Sequence, residues 1–500
     1  MLKILFLGAS AALIAPFAWA ATPPADTALT IYSSARPGAI PPEYYRPLPG
    51  QGAPNASGVP GFAMVRQERN VQLSAGRTQL QFTDVAALID PTTVTFVSLT
   101  EPDARVLEQN FQFDLVSTDK LLLRYLDQPV TVERTGGAGG SVTGTLISSA
   151  DGLVLRGTDG SITALRDYSA LRFPALPGGL ISRPTLQWDI AATRGGEHRA
   201  RVTYQTGGVT WWADYNLLYR DGKDAANGFV DLSSWVSIIN QSGASYPDVK
   251  LKLIAGDVHQ ASPAPMVMDR MQSVAKAEAG FGEQAFDEFH LYTLGRRTSL
   301  PNNSTKQIEL FDQARHVPAQ RLLVFESSTR NLFIPVPYEL RDFPNAGNTR
   351  VTTYLQFRND KASGLGVPLP AGRLRVSRLD PADNSLEFIG EDVIDHTPRD
   401  ERVRVRLGSA FDVVGNRRQV DFTSDSKAKW MEEEVEVELR NHKDEAVEVQ
   451  VRENLFRWSV WKIVSSSHPY SKEDANTIAA AVTVPANGSA TLRYRVRYSW

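Results

Sequence analysis

From Phe62 to the C-terminal Trp500, apolar side chains recur at every second position, and this period limits the fold more than any other feature. Successive side chains of a strand point to opposite faces, so alternation marks a half-buried strand. Val71/Leu73, Leu80/Phe82 and Val94/Phe96 alternate with polar neighbours, and Leu492, Tyr494, Val496, Tyr498 and Trp500 alternate with Arg493, Arg495 and Arg497. Hence the expected class is all-β: several immunoglobulin-like β-sandwich domains with a small SH3-like barrel module near the N-terminus.

Turn residues divide the pattern. Gly76 and Asp90-Pro91 punctuate an N-terminal β domain over residues 61–116. Residues 117–175 form the small module. Val130/Val132, Val142/Leu146, Leu153/Leu155 and Ile162/Leu165 mark its strands, and Asp151-Gly152 and Asp159-Gly160 supply hairpin turns that need positive φ. Sandwiches are expected at 185–320, 321–425 and 426–500. A strand ending in asparagine recurs in them, as Val236/Ile238/Asn240, Leu355/Phe357/Asn359 and Val437/Leu439/Asn441. Asparagine tolerates left-handed backbone and caps its own turn. The stretch 262–288, rich in Ala, Met and Glu and broken by Pro263, Pro265, Gly280 and Gly282, reads as a mobile excursion between strands.

The N-terminus reads as an export signal. Lys3 precedes an apolar run from Ile4 to Phe17, and Ala18-Trp19-Ala20 fits a cleavage site, so residues 1–20 are expected to be removed. The run is too short for a membrane span, and no later stretch is long and apolar enough. Residues 21–60, with Pro23-Pro24, Pro41-Pro42, Pro47, Pro49, Pro54 and Pro60, read as a linker, a free tether in preference to a segment docked onto the body by Tyr44-Tyr45. The chain has no cysteine, which excludes disulfides, thiol nucleophiles and Cys-ligated metal and suits a periplasm. A net charge of -3 over 500 residues gives no footprint for nucleic acid.

No catalytic motif emerges. The seven histidines, at 198, 259, 290, 316, 396, 442 and 468, lack the one-turn pairing that a zinc helix needs. Nucleotide-binding glycine loops and a G-x-S-x-G elbow are absent, and S-x-x-K occurs in five scattered places without a K-T-G partner. Catalytic, metal and cofactor residues are therefore all expected to be none. Glu432-Glu433-Glu434 reads as a solvated strand face. Trp211, Trp212, Tyr215, Trp235 and Tyr246 cluster within 36 residues, and such side chains ordinarily fill a sandwich core. Trp211 and Trp212 are adjacent, so one faces the core and the other faces solvent or a domain junction. They are the candidate ligand residues, as a platform for stacking sugars.

The run Gly208-Val209-Thr210-Trp211-Trp212-Ala213-Asp214-Tyr215 is distinctive. Asp248-Val249-Lys250-Leu251, Leu369-Pro370-Ala371-Gly372, Ile389-Gly390-Glu391 and Gly408-Ser409-Ala410-Phe411-Asp412 follow it in order. Over about residues 185–500 the chain resembles a bacterial secreted family, domain of unknown function 4139, akin to proteins called mucoidy inhibitor A. The resemblance implies an all-β cell-envelope protein. It brings no catalytic residues, and the coiled coil of many relatives is not visible here.

The reading is a periplasmic, non-enzymatic binding or scaffolding protein of the envelope, with an envelope protein or a polysaccharide as partner. The oligomeric state is not legible. Two alternatives stand beside it: a periplasmic hydrolase with its site at a domain junction, and an outer-membrane β-barrel closed by the terminal strand. In a sandwich that strand would pair with Val435/Val437/Leu439, and Glu434, Glu436 and Glu438 would meet the arginines.

Overall fold

A computed structural model describes residues 18–19, 26–32, 38, 40–46, 55–135, 140–224, 226–256, 281–286, 289–326, 336–341, 349–380 and 382–500. The expected export signal over 1–20 lies outside them except for Ala18–Trp19, and the excursion at 262–288 except for the strand Phe281–Phe286. Strands dominate, as the alternation requires.

The first core lies between two sheets. One orders Gly76–Thr83, Thr185–Ala192 and Arg105–Gln112. The other runs through Tyr246–Ala255, Asp26–Tyr32, Phe62–Leu73, Gly196–Thr206 and Ile89–Ser98. Leu80, Phe82, Ile190, Val65, Val202 and Tyr204 fill the space between, all fully buried. Trp188 packs 5.2 Å from Phe82 and 5.4 Å from Phe96.

The expected linker contributes a strand to this sheet. Asp26–Tyr32 lies parallel to Tyr246–Ala255 and antiparallel to Phe62–Leu73, with Leu29 and Ile31 fully buried. Within the proline-rich stretch 21–60, these seven residues contain no proline and alternate Thr27, Leu29 and Ile31 inward, which the composition of the whole stretch conceals. The Asp26 carboxylate fixes the strand start through Lys250 (2.9 Å) and Arg297 (2.6 Å).

The small module interrupts the first sandwich between Gln112 and Thr185. Its sheet orders Ile162–Leu165, Leu153–Arg156, Ser141–Ser148, Pro129–Arg134 and Tyr168–Arg172 around Val130, Val132, Leu146 and Leu155. The outer strands are not hydrogen-bonded to each other, so no closed barrel forms. They are nevertheless joined by Arg166-Asp167 alone. Four inter-strand spacings of about 4.8 Å would separate the edges of a flat sheet by roughly 19 Å, beyond the reach of so short a link. The sheet must therefore curl until its edges approach.

A further sheet of 14 strands serves several cores. Long strands cross from one core to the next. Trp211 of Val209–Asp221 joins the first core, while Tyr215 and Leu217 join the second. Ala314–Glu326 places Val317 in the second core and Phe325 in the third. Residue 321, where a domain boundary was expected, thus lies within a strand. Arg402–Asp425 runs for 24 residues and does the same with Val405 and Val413.

Gly488–Ser499 pairs antiparallel with Trp430–Asn441, setting Arg493 opposite Glu436, Arg495 opposite Glu434 and Arg497 opposite Glu432. Glu438 instead faces Thr491. Arg495 reaches Glu434 at 2.6 Å, and Glu436 takes both Arg493 and Arg418. Glu433 departs from the solvated reading: it points inward and is buried with Arg457. In the described residues no sheet closes on itself.

These ion pairs set the acid limit. Arg493 and then Arg418 hold the Glu436 carboxyl below the usual range. Arg201 and then Arg199 do so for Glu68, and Lys250 and then Arg297 for Asp26. A carboxyl lowered in the folded state contributes stability above its unfolded pKa of about 4, and loses it as pH falls toward the folded value. The melting temperature is expected to hold from about pH 7 to 5 and to fall below about pH 4.5. Circular dichroism of wild type beside Asp26→Asn/Glu68→Gln/Glu436→Gln checks this. The variant starts lower and loses less on acidification; an equally steep acid limb contradicts the assignment.

Candidate functional site: an outer sheet face and its end cleft

The most triad-like group is sealed. The Ser98 hydroxyl meets His198 Nδ1 at 3.3 Å, and Glu101 Oε2 lies 3.9 Å from Nε2. All three residues are buried. The Glu101 N–H donates to Ser98 Oγ, and its carboxylate accepts the Thr193 hydroxyl, the Thr193 N–H and the Arg194 N–H. The Thr193 bonds hold that carboxyl below its usual range. Every group is spent on joining two turns, which makes a structural staple. Glu433 and Glu453 are likewise each committed to an arginine and a tyrosine. No group of three His, Asp or Glu able to hold a metal ion occurs in the described residues.

Trp211 and Trp212 point to opposite faces, as adjacency requires, but neither forms an open platform. Trp211 is 2% exposed in the first core, and its indole N–H donates to the Ile254 carbonyl at 3.2 Å. Trp212 is 9% exposed on the outer face of the long sheet. Ile40, Val59 and Tyr45 roof it, the Tyr45 ring lying at 5.5 Å, and its N–H donates to Asp214 Oδ2 at 2.7 Å. The platform expectation failed because the proline-rich lead, read as a linker, docks there through Tyr44-Tyr45.

The open aromatics of this face belong to Asn227–Asn240. Its even positions Val230, Leu232, Val236 and Ile238 are buried, so odd positions face outward. Trp235 and Phe229 are both over a third exposed. They are six residues apart, about 20 Å along a strand. Ser237 between them and the roofed Trp212 accepts from Gln307 at 3.1 Å and donates to Asp214 at 3.0 Å, and Arg375 holds Asp214 from the neighbouring strand at 3.3 Å.

At the Phe229 end the face opens into a cleft of about 770 Å³, within the range of small-ligand sites. A bulge builds it. The register with Ala314–Glu326 shifts between Val230 and Leu232, and His316 takes φ +58°, its N–H donating to Asp231 Oδ1 at 3.0 Å. This sets the imidazole against the Phe229 ring at 5.0 Å. Asn227, Gln320 and Gln356 line the floor. The Gln320 amide donates to Asn227 Oδ1 (3.4 Å), and Arg404 donates to Gln356 Oε1 (2.9 Å). The Gln356 NH₂ and the Gln320 carbonyl make no hydrogen bond among the described residues. Asp224 fixes the hairpin tip by accepting from the backbone and side chain of Asn227. The arrangement offers an apolar ring, oriented amides and charges at the rim, and no activated nucleophile.

The family model described as Domain of unknown function (DUF4139) matches residues 200–500. The chain belongs to this family. Both the outer face and the cleft lie in its DUF4139 region. No curated protein and no solved structure matches the chain. The DUF4139 region is not independent of what precedes it, because Gly196–Thr206 pairs along its length with Phe62–Leu73. The alternation inside Asn227–Asn240 carried the signal for Trp235 and Phe229. The cleft floor came from strands about 90 and 130 residues further on, which periodicity cannot bring together.

Proposed function

We propose that the protein is a non-catalytic, glycan-binding scaffold of the cell envelope, exported to the periplasm. The carrying observation is the cleft, which the exposed Phe229 ring lines together with the hydrogen-bonded amides of Gln320 and Gln356. A pyranose has one apolar C–H face and a rim of hydroxyls. A ring flanked by fixed amide donors and acceptors complements both, and the burial of apolar area supplies much of the affinity. Export is supported by the Lys3 to Ala20 pattern and by the lack of cysteine. Scaffolding is supported by long strands that tie three cores into one sheet. Glycan-array binding by the purified protein tests the reading, with cell fractionation for the location. Phe229→Ala is expected to weaken the best array ligand about tenfold or more, roughly the loss of one aromatic contact. No glycan bound, or equal binding by the variant, overturns it.

A further inference from the structure

We infer that the ligand of the cleft is acidic, a sugar chain carrying carboxylates that Arg402 and Lys223 recognise. The inference rests on the glycan-binding reading above. Arg358 and Arg402 are directly opposed in the antiparallel pair of Arg350–Arg358 with Arg402–Asp425. Like charges in that relation repel. Arg358 is relieved by Asp360, whose carboxylate lies at 2.8 Å. Arg402 is exposed, and among the described residues it has no carboxylate partner. Lys223, at the hairpin tip on the same cleft, has none either.

The acids of the cleft do not answer these charges. Asp221 is bound to Arg378, and Asp224 is consumed by the Ala226 and Asn227 N–H groups and the Asn227 amide. The Asn227 bonds hold the Asp224 carboxyl below its usual range, so it stays an occupied anion. With Asp221 and Arg358 each in an ion pair, the lining keeps Arg402 and Lys223 against the single charge of Asp224, so its balance is cationic. A guanidinium fork matches a carboxylate in two parallel hydrogen bonds, which an isolated neutral hydroxyl cannot reproduce. Phe229 and Arg402 line the same cleft three strands apart, roughly 14 Å at the usual strand spacing, so ring stacking and charge recognition act on neighbouring units of one sugar chain.

The test compares a galacturonate hexamer with its carboxyl-reduced neutral counterpart and with a phosphate-bearing oligosaccharide of equal charge, by calorimetry on the full protein. The uronate is expected to bind at least about tenfold tighter than the neutral chain at roughly 50 mM salt, with the gap closing near 500 mM. Arg402→Gln and Lys223→Gln each collapse that preference. Both positions are exposed, so the variants are expected to stay folded, and circular dichroism verifies it. Equal binding of charged and neutral chains, lost in Phe229→Ala, overturns the acidic assignment and leaves the glycan reading standing. Tighter binding of the phosphorylated chain overturns the carboxylate assignment. Binding of none of the three, at concentrations where the array ligand binds, also overturns the acidic assignment; silence on the array as well overturns both readings.

Discussion

Replacing Asn441 by alanine is expected to destabilise the C-terminal sandwich by about 3 kcal/mol, since each buried polar group left unpaired costs roughly 1–3 kcal/mol. The side chain is 1% exposed. Its NH₂ donates to the carbonyls of Glu445 (2.8 Å) and Pro485 (3.0 Å), with Val484 at 3.4 Å, and its carbonyl accepts the Lys443 N–H at 3.0 Å. It therefore closes its own hairpin and clamps a second strand end. Asn441→Asp is expected to be worse than alanine, because it turns a negative charge toward carbonyl oxygens. Urea unfolding followed by tryptophan fluorescence measures both. A loss under about 1 kcal/mol, or an aspartate better tolerated than alanine, would show that the clamp is not what holds these turns.

The same clamp occurs three times. Asn240 donates to Ala244, Leu300 and Pro301 and accepts from Ser242. Asn359 donates to Val367 and Pro398 and accepts from Gly366. In each case a proline carbonyl is the distant acceptor, and two residues after it comes a non-glycine residue with positive φ: Asn303, Asp400 or Asn487. The alternation before each asparagine exposed half of this unit in the sequence. The proline half lies 61, 39 and 44 residues further on, a variable loop away, so spacing alone could not join the halves. Together they mark one corner that recurs at the ends of three strands.

Legibility elsewhere followed the range of the interaction. The match of Glu434 and Glu436 with Arg495 and Arg493 was readable because both strands alternate strictly, so one plausible register aligns every charge. The roof over Trp212 was not, because Asp26–Tyr32 and Tyr44-Tyr45 sit in a stretch whose prolines dominate its composition. Trp235 was grouped with the core aromatics and Phe229 was not singled out, although the alternation of Asn227–Asn240 turns both outward. The bulge that turns His316 onto Phe229 was not legible, because a one-residue slip depends on the partner strand.

Arg457→Met is expected to have the largest effect of a single substitution, about 3–5 kcal/mol, the usual consequence of leaving a buried charge without its partner. Arg457 is 1% exposed, and its Nε donates to Glu433 Oε2 at 2.8 Å. Nη1 donates to the carbonyls of Tyr338 and Leu340, and the guanidinium lies 4.5 Å from the Phe422 ring centre. Glu433 also accepts the Tyr498 hydroxyl at 3.1 Å. Burial, and then the Glu433 charge, push that phenol up, so it remains a donor. Removing the arginine leaves the buried Glu433 carboxylate with only the neutral donors Gln419 and Tyr498, and strips the carbonyls of Tyr338, Leu340 and Arg341 of their donor. Arg457→Lys is expected to recover only part of the loss, because an ammonium cannot span the carboxylate and the carbonyls as a planar fork does. Glu433→Gln in the Arg457→Met background removes the stranded charge, so the double variant is expected to be more stable than Arg457→Met alone by at least about 1 kcal/mol. The carbonyls of Tyr338, Leu340 and Arg341 lack this donor in both, so recovery is incomplete. Additive losses in this cycle would mean that the two side chains are held independently, and that the charge pair does not organise the third core.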